Sequence, residues 1–478
     1  MLSDYKTLQD LQKDLFSGVF SCYDLVNQYL NACKDQSHLN AFVELYEEQV
    51  LKHAREVDQK IRSGNQGKMA GLVLGIKDNL CLTGHTVTAG SQILQGFSSQ
   101  ITATAVQRLL DQDALIIGRL NCDEFAMGAS NETSTYGPVK NAIDTERVPG
   151  GSSGGSAVAV QAGMCHASLG SDTGGSIRQP ASFTGTWGYK PSYGVVSRHG
   201  LIAYASSFDQ IGPITKSIED MQAIMEVISG PDSWDATLVQ NPVFTNPTNP
   251  SQSSQNKFYK IAVIQETIEN PGLDPEIKQY TLDLLERLKQ HGHQINWIDF
   301  PTLKQMVPCY YVLSTAEASS NLARFSGLTF GYRSPNAHSL DTTFTRSRSE
   351  GFGTEVKRRI MLGTFVLSSD HYEAYYTKAQ KVRKLIQTKT EEVFEQYDFI
   401  LTPTTATPAF KIGEKSKDPI AMYLADLYTV HANLAGIPAI SIPMAQNQKS
   451  LPFGIQLMGP YLSDAQLLNA ASQLYGLK

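Results

Sequence analysis

The chain has 478 residues, a formal net charge of -6 and a hydrophobic content of 41%. This composition is that of an ordinary globular protein, and it excludes the fibrous, disordered and disulfide-rich classes. No run of five or six basic residues occurs, so the charge pattern expected of an autonomous nucleic-acid-binding protein is absent.

The cysteines and the N-terminal segment predict a soluble protein of a reducing compartment, the cytoplasm. The chain contains no C-x-x-C spacing, and free, mostly buried thiols are expected. The N-terminal residues lack a basic segment followed by an apolar one, and no stretch reaches the roughly 18 apolar residues of a membrane span. The six cysteines are Cys22, Cys33, Cys81, Cys122, Cys165 and Cys309.

The first predicted elements are two short amphipathic helices between Thr7 and Cys33. Their apolar stripes are formed by Leu8, Leu11 and Leu15 and by Leu25, Tyr29 and Leu30. We interpret these helices as a packing layer without chemistry.

From residue 70 to about residue 230, short apolar runs alternate with helical stretches. The pattern predicts strands at 71–76 and 114–118 and a helix at 104–111. Such alternation indicates βαβ units and a sheet covered by helices.

A second half of the same character follows a polar connection at 241–256, which is rich in Pro, Asn, Ser and Gln. The pattern then predicts strands at 259–264, 294–298 and 399–401 and a helix at 275–290. Length alone would allow about three domains. Because the pattern is the same on both sides, we favour one domain over 1–478, with an exposed connection at 241–256 and the chemistry within 70–215.

Glycine is concentrated in two clusters, at 150–155 and 170–176, on either side of an apolar helical segment at 157–164. Glycine permits close approach of the backbone and positive φ, so such clusters suit loops whose N–H groups point at an anion. The sequence therefore predicts that these loops stabilise negative charge.

Three kinds of site could use these loops. Phosphate binding needs a G-x-x-x-x-G-K-[ST] or G-x-G-x-x-G pattern, which neither cluster has. An α/β-hydrolase elbow is matched formally around Ser153, but residues 145–150 upstream read as a loop and not as a strand. In a serine–lysine hydrolase the base would be Lys77, which follows an apolar strand. By its local pattern alone, however, Lys77 is more typical of a solvated surface charge.

Three motifs together resemble the amidase-signature family. They lie at 75–79 (GIKDN), 150–155 (GGSSGG) and 170–180 (GSDTGGSIRQP), in the order and spacing of that family. The resemblance implies an α/β fold over essentially the whole chain, with a mixed, mostly parallel central sheet covered by helices on both sides.

The same resemblance implies the roles of the reacting residues. Ser176 would be the nucleophile, Lys77 the base, and Ser152 the link between them, next to a cis peptide bond. The oxyanion hole would be formed by backbone N–H groups of Thr173, Gly174 and Gly175. A lysine accepts a proton only when neutral, so burial must lower its pKa of about 10.4 by roughly three units.

Three further segments, at 124–128, 193–213 and 372–383, resemble one branch of this family, the glutamine-hydrolysing subunits of tRNA-dependent amidotransferases. The branch implies a heterotrimer in which ammonia passes to a tRNA-binding kinase partner. That partner would amidate Glu-tRNA(Gln), or Asp-tRNA(Asn), with ATP and Mg, and a third, small partner would complete the assembly. This chain itself is expected to need no cofactor and no metal.

A glutamine site needs a cation for the α-carboxylate and an anion for the α-ammonium group. Arginine suits bidentate pairing with a carboxylate, and we choose Arg359 over Arg358. Asp426 is our choice for the anion, and Tyr310 resembles a tyrosine that lies near the substrate in the family.

Other charged residues receive structural interpretations. Asp172 and Arg178 flank the predicted nucleophile, and we expect them to brace its loop. His291 and His293 lie in a predicted helix-to-strand turn without other ligands nearby, so we expect a solvated turn and no metal site.

Two alternatives to the glutaminase subunit remain. A free-standing amidase of the same family would act on another small amide. A non-catalytic scaffold subunit would be expected to lack one of Lys77, Ser152 or Ser176, and all three are present.

Overall fold

The computed structural model describes residues 5–241, 243–244, 257–415, 422 and 425–478. The predicted connection at 241–256 lies outside these ranges except for residues 241, 243 and 244. The strands are β1 (Phe42–Leu45), β2 (Val73–Lys77), β3 (Leu115–Leu120), β4 (Ala167–Asp172), β5 (Trp187–Lys190), β6 (Gln210–Thr215), β7 (Lys260–Ile264), β8 (Gln294–Ile298), β9 (Phe399–Pro403), β10 (Ala439–Gln446) and β11 (Pro452–Met458).

The α-helices are α1 (Leu8–Phe16), α2 (Cys22–Asp35), α3 (Glu47–Ser63), α4 (Thr104–Asp111), α5 (Gly154–Gln161), α6 (Arg178–Thr184), α7 (Ile218–Ile228), α8 (Gln265–Ile268), α9 (Pro275–Gln290), α10 (Leu303–Asn321), α11 (Leu340–Gly351), α12 (Thr354–Val366), α13 (Lys378–Phe394), α14 (Val430–Ala435) and α15 (Asp464–Tyr475). A π-helical turn at Glu373–Thr377 leads into α13. No helix within the described residues is both long enough and apolar enough to span a membrane.

All the strands of the described residues belong to one sheet, in the order β1-β3-β2-β4-β6-β5-β10-β11-β9-β7-β8. Consecutive residues of its strands contact different cores. In β7, for example, Ile261 and Val263 belong to one cluster of buried side chains, whereas Ala262 and Ile264 belong to another. Because side chains alternate between the faces of a strand, both faces of the sheet are covered, as predicted for this α/β fold.

The prediction of a mostly parallel sheet needs a correction. Among the described strands, parallel pairing is confined to β3-β2-β4 and to β9-β7-β8. The other six neighbouring pairs are antiparallel. That prediction came from the family resemblance. The five strands predicted from the sequence pattern all lie in the two parallel groups, and the antiparallel strands between these groups are made by segments without a predicted strand.

Several predicted elements have the observed bounds, and one begins earlier. Helices α4 and α9 and strand β8 match the prediction residue for residue. Helix α5 begins at Gly154, three residues before the predicted start. Its first turn is glycine-rich, which disfavours a helix locally, but the Asn131 side chain accepts a hydrogen bond from the N–H of Gly155 at 3.1 Å. A tertiary contact therefore caps this helix.

The cysteine prediction is confirmed, since all six cysteines are free and buried.

The prediction of a solvated turn at His291 and His293 is correct for the first histidine and wrong for the second. His291 is exposed at the end of α9, but His293 is only 4% exposed, and its Nδ1 accepts a hydrogen bond from the N–H of Tyr259 at 3.2 Å. The two rings also stack. The His293 end of the turn is therefore buried, because its ring packs against Tyr259, the residue immediately before the neighbouring strand β7.

Candidate active site

The three motifs meet because of the order of the strands. β2 and β4 are parallel neighbours, so their carboxyl ends lie at the same edge of the sheet. Lys77 is the last residue of β2, and Asp172 is the last residue of β4. Ser152 and Ser153 precede α5, which packs on both strands. Residues distant in sequence therefore come together at one edge.

Lys77 is completely buried among serine oxygens. Its Nζ lies 2.7 Å from Ser152 Oγ, 2.9 Å from Ser153 Oγ and 2.9 Å from Ser171 Oγ. The Asn79 amide donates to the same Ser171 hydroxyl at 2.9 Å. The surface-charge interpretation of Lys77 is thereby excluded, and a cation at this position would face neutral oxygens at close range.

The hydroxyl protons distinguish the two adjacent serines. Ser153 Oγ donates its proton to the carbonyl oxygen of Ser171 at 3.1 Å. Within the described residues, Ser152 Oγ has no hydrogen-bond partner other than Lys77. When Lys77 is neutral, Ser152 can therefore donate a hydrogen bond and a proton to it. Ser153 already donates its hydroxyl proton to the Ser171 carbonyl. The peptide bond between Gly151 and Ser152 is cis, as the resemblance implies.

Burial changes the protonation of Lys77. The loss of water around Nζ lowers the pKa of Lys77 to about 8, although the nearby Cys122 and Asp123 act in the opposite direction. A lysine with this pKa is neutral in about one molecule in ten at pH 7. The environment therefore supplies most of the shift that a lysine base requires.

Ser176 is the most exposed serine of this cluster. The residue is 7% exposed, whereas Ser152 and Ser153 are fully buried. The main-chain carbonyl of Ser176 accepts a hydrogen bond from the N–H of Ser153 at 3.1 Å, so the two loops are joined. The buried position of Ser153 and its committed proton argue against the hydrolase-elbow interpretation.

The loop before Ser176 presents backbone N–H groups. Within the described residues, the N–H groups of Thr173, Gly174 and Ser176 have no hydrogen-bond acceptor. The N–H of Gly175 differs, since it donates to Asp172 Oδ1 at 2.9 Å. Gly175 has a φ of +132°, and a β-carbon there would lie 2.2 Å from Thr429 Oγ1. The loop conformation therefore requires glycine at this position.

Asp172 and Arg178 brace this loop as a fully buried ion pair. Arg178 Nη2 lies 2.9 Å from Asp172 Oδ1, and both side chains are fully enclosed. Arg178 also donates to the carbonyl of Thr429 and to Gln456 Oε1. Burial alone would raise the pKa of Asp172, but the Arg178 guanidinium overrides this effect and holds that pKa at about 2. The carboxylate thus stays charged.

Arg359 lies on α12 and is 3% exposed. Its Nε donates to Glu355 at 2.9 Å, and its Nη1 donates to the hydroxyl of Tyr204 at 2.9 Å. The neighbouring Arg358 is exposed and pairs with the same glutamate. The structure thus separates the two arginines, since only Arg359 points inward.

Asp426 and Tyr310 lie in the same region as Arg359. Asp426 accepts a hydrogen bond from the hydroxyl of Tyr311 at 2.6 Å, and the Tyr311 ring lies 5.4 Å from the Arg359 guanidinium carbon. Burial raises the pKa of Asp426 to about 7. Tyr310 packs against the loop before Ser176, since a β-carbon on Gly174 would lie 2.6 Å from the Tyr310 hydroxyl oxygen.

Three residues of this site were not predicted from the sequence. Ser171 bonds Lys77, Tyr311 bonds Asp426, and Tyr204 bonds Arg359. Ser171 and Tyr311 stand next to predicted site residues, so their neighbourhood was a usable signal. Tyr204 is 155 positions from Arg359, and no local pattern connects the two. The described residues contain no group of three or more His, Cys, Asp or Glu side chains that could hold a metal ion.

The sheet and the loops at its edge define the class of the protein. The family model described as Amidase matches residues 24–468, and the chain belongs to the amidase family.

Among its relatives is a Salinibacter ruber protein that is named as a subunit of glutamyl-tRNA(Gln) amidotransferase. It is 43% identical over 98% of this chain and 99% of its own length. A solved structure of the Thermotoga maritima protein of the same name is 40% identical, with a TM-score of 0.77, and the match covers 94% of this chain and 90% of that one.

Fold similarity extends to an enzyme with another name. The peptide amidase from Stenotrophomonas maltophilia is 26% identical, with a TM-score of 0.79, and the match covers 98% of this chain and 96% of that one. The two TM-scores are nearly equal, so the fold alone does not separate the two kinds of relative. The higher sequence identity favours the amidotransferase subunits.

Proposed function

We propose that this chain is the glutamine-hydrolysing subunit of a tRNA-dependent amidotransferase. One observation carries the chemistry: a fully buried Lys77 lies 2.7 Å from Ser152 Oγ, beside the partly accessible Ser176. The similarity to proteins named as subunits of glutamyl-tRNA(Gln) amidotransferase supports the substrate.

The reaction begins with attack by Ser176 Oγ on the side-chain amide carbon of glutamine. As the new C–O bond forms, Ser176 gives its proton to Ser152 Oγ, and Ser152 gives its own proton to the neutral Lys77 Nζ. The proton returns by the same route to the leaving nitrogen, the C–N bond breaks, and ammonia departs. Water then hydrolyses the ester on Ser176 by the same relay and releases glutamate.

Negative charge on the tetrahedral oxygen requires preorganised donors, each contributing on the order of 3 kcal/mol. We assign this role to the loop Thr173, Gly174 and Gly175 together with the N–H of Ser176. The contact of the Gly175 N–H with Asp172 at 2.9 Å favours Thr173, Gly174 and Ser176 as the direct donors. Gly175 then contributes the backbone conformation that aims them.

Recognition of glutamine is assigned to the polar groups next to this loop. Arg359 would pair with the α-carboxylate and Asp426 with the α-ammonium group, while Tyr310 lines the space beside Gly174. With a pKa of about 7, Asp426 loses its proton as the pH rises through neutrality. Binding of the ammonium group is therefore favoured above that pH.

Ammonia would then pass to a partner. In this proposal, a tRNA-binding kinase partner amidates Glu-tRNA(Gln), or Asp-tRNA(Asn), with ATP and Mg, and a third, small partner completes a heterotrimer. The net charge of -6 supports a division of labour in which the partner holds the RNA. Six free, buried cysteines support a reducing compartment, the cytoplasm.

The first experiment measures ammonia release from glutamine by the wild type and by Ser176→Ala, with and without the partner subunits. The variant should release no ammonia above background, because the nucleophile is gone. Ser168→Ala is the control, since Ser168 is a buried serine of β4 whose hydroxyl bonds the Ser156 carbonyl. Unchanged release by Ser176→Ala would contradict the mechanism.

A second experiment separates glutamine hydrolysis from the rival, a free-standing amidase for another small amide. Arg359→Met should raise KM for glutamine by about 100-fold, the loss of one well-formed charged pair. It should have little effect on simple amides without an α-carboxylate. Arg358→Met is the matched control, because Arg358 shares Glu355 but is exposed. Rapid release from simple amides and little from glutamine would favour the rival.

A further inference from the structure

Asp209 is a buried carboxylate that the proposed reaction does not use. The residue is 3% exposed, and it lies immediately before β6. Burial raises the pKa of Asp209 to about 6, so the group is mostly ionised at neutral pH. Because a buried charge is costly unless it is well bonded, the hydrogen bonds of this carboxylate indicate what it holds in place.

The register of the sheet brings Asp209 to the nucleophile loop. In the antiparallel pair of β4 and β6, Asp172 is opposite Gln210. One step beyond this pair, Thr173 leaves β4 and Asp209 enters β6. The Thr173 hydroxyl donates to Asp209 Oδ1 at 2.7 Å. One carboxylate oxygen is therefore fixed to the first residue of the proposed oxyanion loop.

The other oxygen holds the backbone that presents Tyr204. Asp209 Oδ2 accepts hydrogen bonds from the N–H groups of Tyr204 at 2.9 Å and of Ala205 at 3.0 Å. The Tyr204 hydroxyl in turn accepts from Arg359 at 2.9 Å and donates to Ser314 Oγ at 3.1 Å. Arg359 is therefore two contacts away from the same carboxylate.

We propose that Asp209 is a positioning residue that sets the oxyanion loop and the glutamine-binding arginine at a fixed separation. One oxygen acts through Thr173 on the reacting end of the substrate, and the other acts through Tyr204 on the α-carboxylate end. Both ends of one small substrate must be held at once, and a misplacement of about 1 Å costs about 100-fold in rate. This inference rests on the proposed glutaminase function.

Each of the two connections of Asp209, through Thr173 and through Tyr204, is called an arm here and is tested by a separate variant. Thr173→Val removes the hydroxyl that reaches Asp209 and should lower kcat for glutamine about tenfold, with KM nearly unchanged. Tyr204→Phe removes the hydroxyl that meets Arg359 and should raise KM about tenfold, with kcat nearly unchanged. Asp209→Ala removes both arms and should change both constants, with kcat lower by about 100-fold.

Asp209→Asn is the conservative variant. An asparagine oxygen can still accept from the N–H groups of Tyr204 and Ala205, and its amide nitrogen can donate to the Thr173 hydroxyl. Both constants should therefore recover most of the way toward the wild-type values. If Asp209→Ala fails to fold, Thr173→Val and Tyr204→Phe keep the test valid, because each removes only one of the contacts on which the bridge depends.

A matched control is Asp464→Asn. Asp464 is likewise buried and accepts hydrogen bonds from Tyr189 and from the N–H and hydroxyl of Ser192, away from the proposed substrate contacts. This change should lower Tm and leave kcat and KM unchanged.

Glutamine hydrolysis by the wild type is measured first, and its absence would contradict the proposed function itself. Given wild-type activity, kcat and KM of all the variants are measured with glutamine and with an amide that lacks the α-carboxylate. The inference predicts that Tyr204→Phe spares the second amide while Thr173→Val slows both. If Asp209→Ala lowers only Tm, as expected for Asp464→Asn, or changes only one of the two constants, the bridging role is wrong.

Discussion

Two buried cations lie at the same edge of the sheet, Lys77 at the end of β2 and Arg178 at the start of α6, and their surroundings differ. Lys77 is enclosed by the hydroxyls of Ser152, Ser153 and Ser171, and its pKa is lowered to about 8. Arg178 faces the carboxylate of Asp172 at 2.9 Å, and this charge pair holds the pKa of Asp172 at about 2.

The difference shows that burial can lower the pKa of one cation and, where a carboxylate is in contact, fix another cation in a rigid ion pair. Neutral hydroxyls orient a cation without offsetting all of its lost hydration, so the lysine releases its proton near physiological pH. A carboxylate in direct contact with arginine offsets that loss, so Asp172 stays ionised and the ion pair fixes the loop. In the proposed reaction, proton transfer and positioning are therefore carried out by separate, adjacent groups.

The largest expected effect comes from removing the first cation. Lys77→Met should lower kcat for glutamine hydrolysis by about 10⁴-fold, because no base remains to accept the relayed proton. The free energy of unfolding should change by less than about 2 kcal/mol, since the desolvation cost of the lysine disappears together with its hydrogen bonds. Steady-state kinetics and urea unfolding measure the two quantities. Retention of activity would exclude Lys77 as the base.

The parallel change at the second cation should act on stability. Arg178→Met leaves the Asp172 carboxylate buried without its partner, which should cost about 3–5 kcal/mol of unfolding free energy. Urea unfolding measures this loss. The double variant Arg178→Met/Asp172→Leu is the control, because removing both charges should restore part of the stability. A stable single variant would show that the brace is not needed for folding.

The pH dependence of kcat tests whether Lys77 acts as the base. The pKa of Lys77 is lowered to about 8, so its neutral form increases as the pH rises toward that value. We expect kcat to rise about 50-fold between pH 6 and pH 8 and to level off above roughly pH 8.5. KM for glutamine should rise below pH 7, where Asp426 gains a proton. A kcat that is independent of pH from about 6 to 9 would contradict a lysine base.

The smallest effect is expected at Ser153. Ser153→Ala removes one oxygen that bonds the charged form of Lys77, so the pKa of Lys77 should fall further and the kcat profile should move to lower pH. The maximal kcat should change by less than about fivefold, since the relay through Ser152 remains, and the unfolding free energy should fall by about 1 kcal/mol. Ser152→Ala is the matched comparison and should lose about 10³-fold in kcat. Equal losses in the two variants would remove the distinction between these serines.

Local sequence signals predict the elements that local forces determine. The bounds of helix α9 are predictable because Asp274 caps its N-terminus and Pro275 occupies its first position. The start of helix α5 is not, because its cap is Asn131, 24 residues before Gly155. The antiparallel pairing of β4 with β6 and of β5 with β10 escapes prediction because these strands are paired across long sequence separations.

The sequence by itself determined the family and the set of candidate reacting residues, because three motifs in fixed order carry that information. The tertiary structure decided which serine has a hydroxyl free to donate to Lys77, which arginine faces inward and where Asp209 lies. These distinctions depend on distances of a few ångströms between residues 36 to 155 positions apart. Hydrogen bonds weaken steeply with distance and angle, so only the folded positions could distinguish the candidate proton paths.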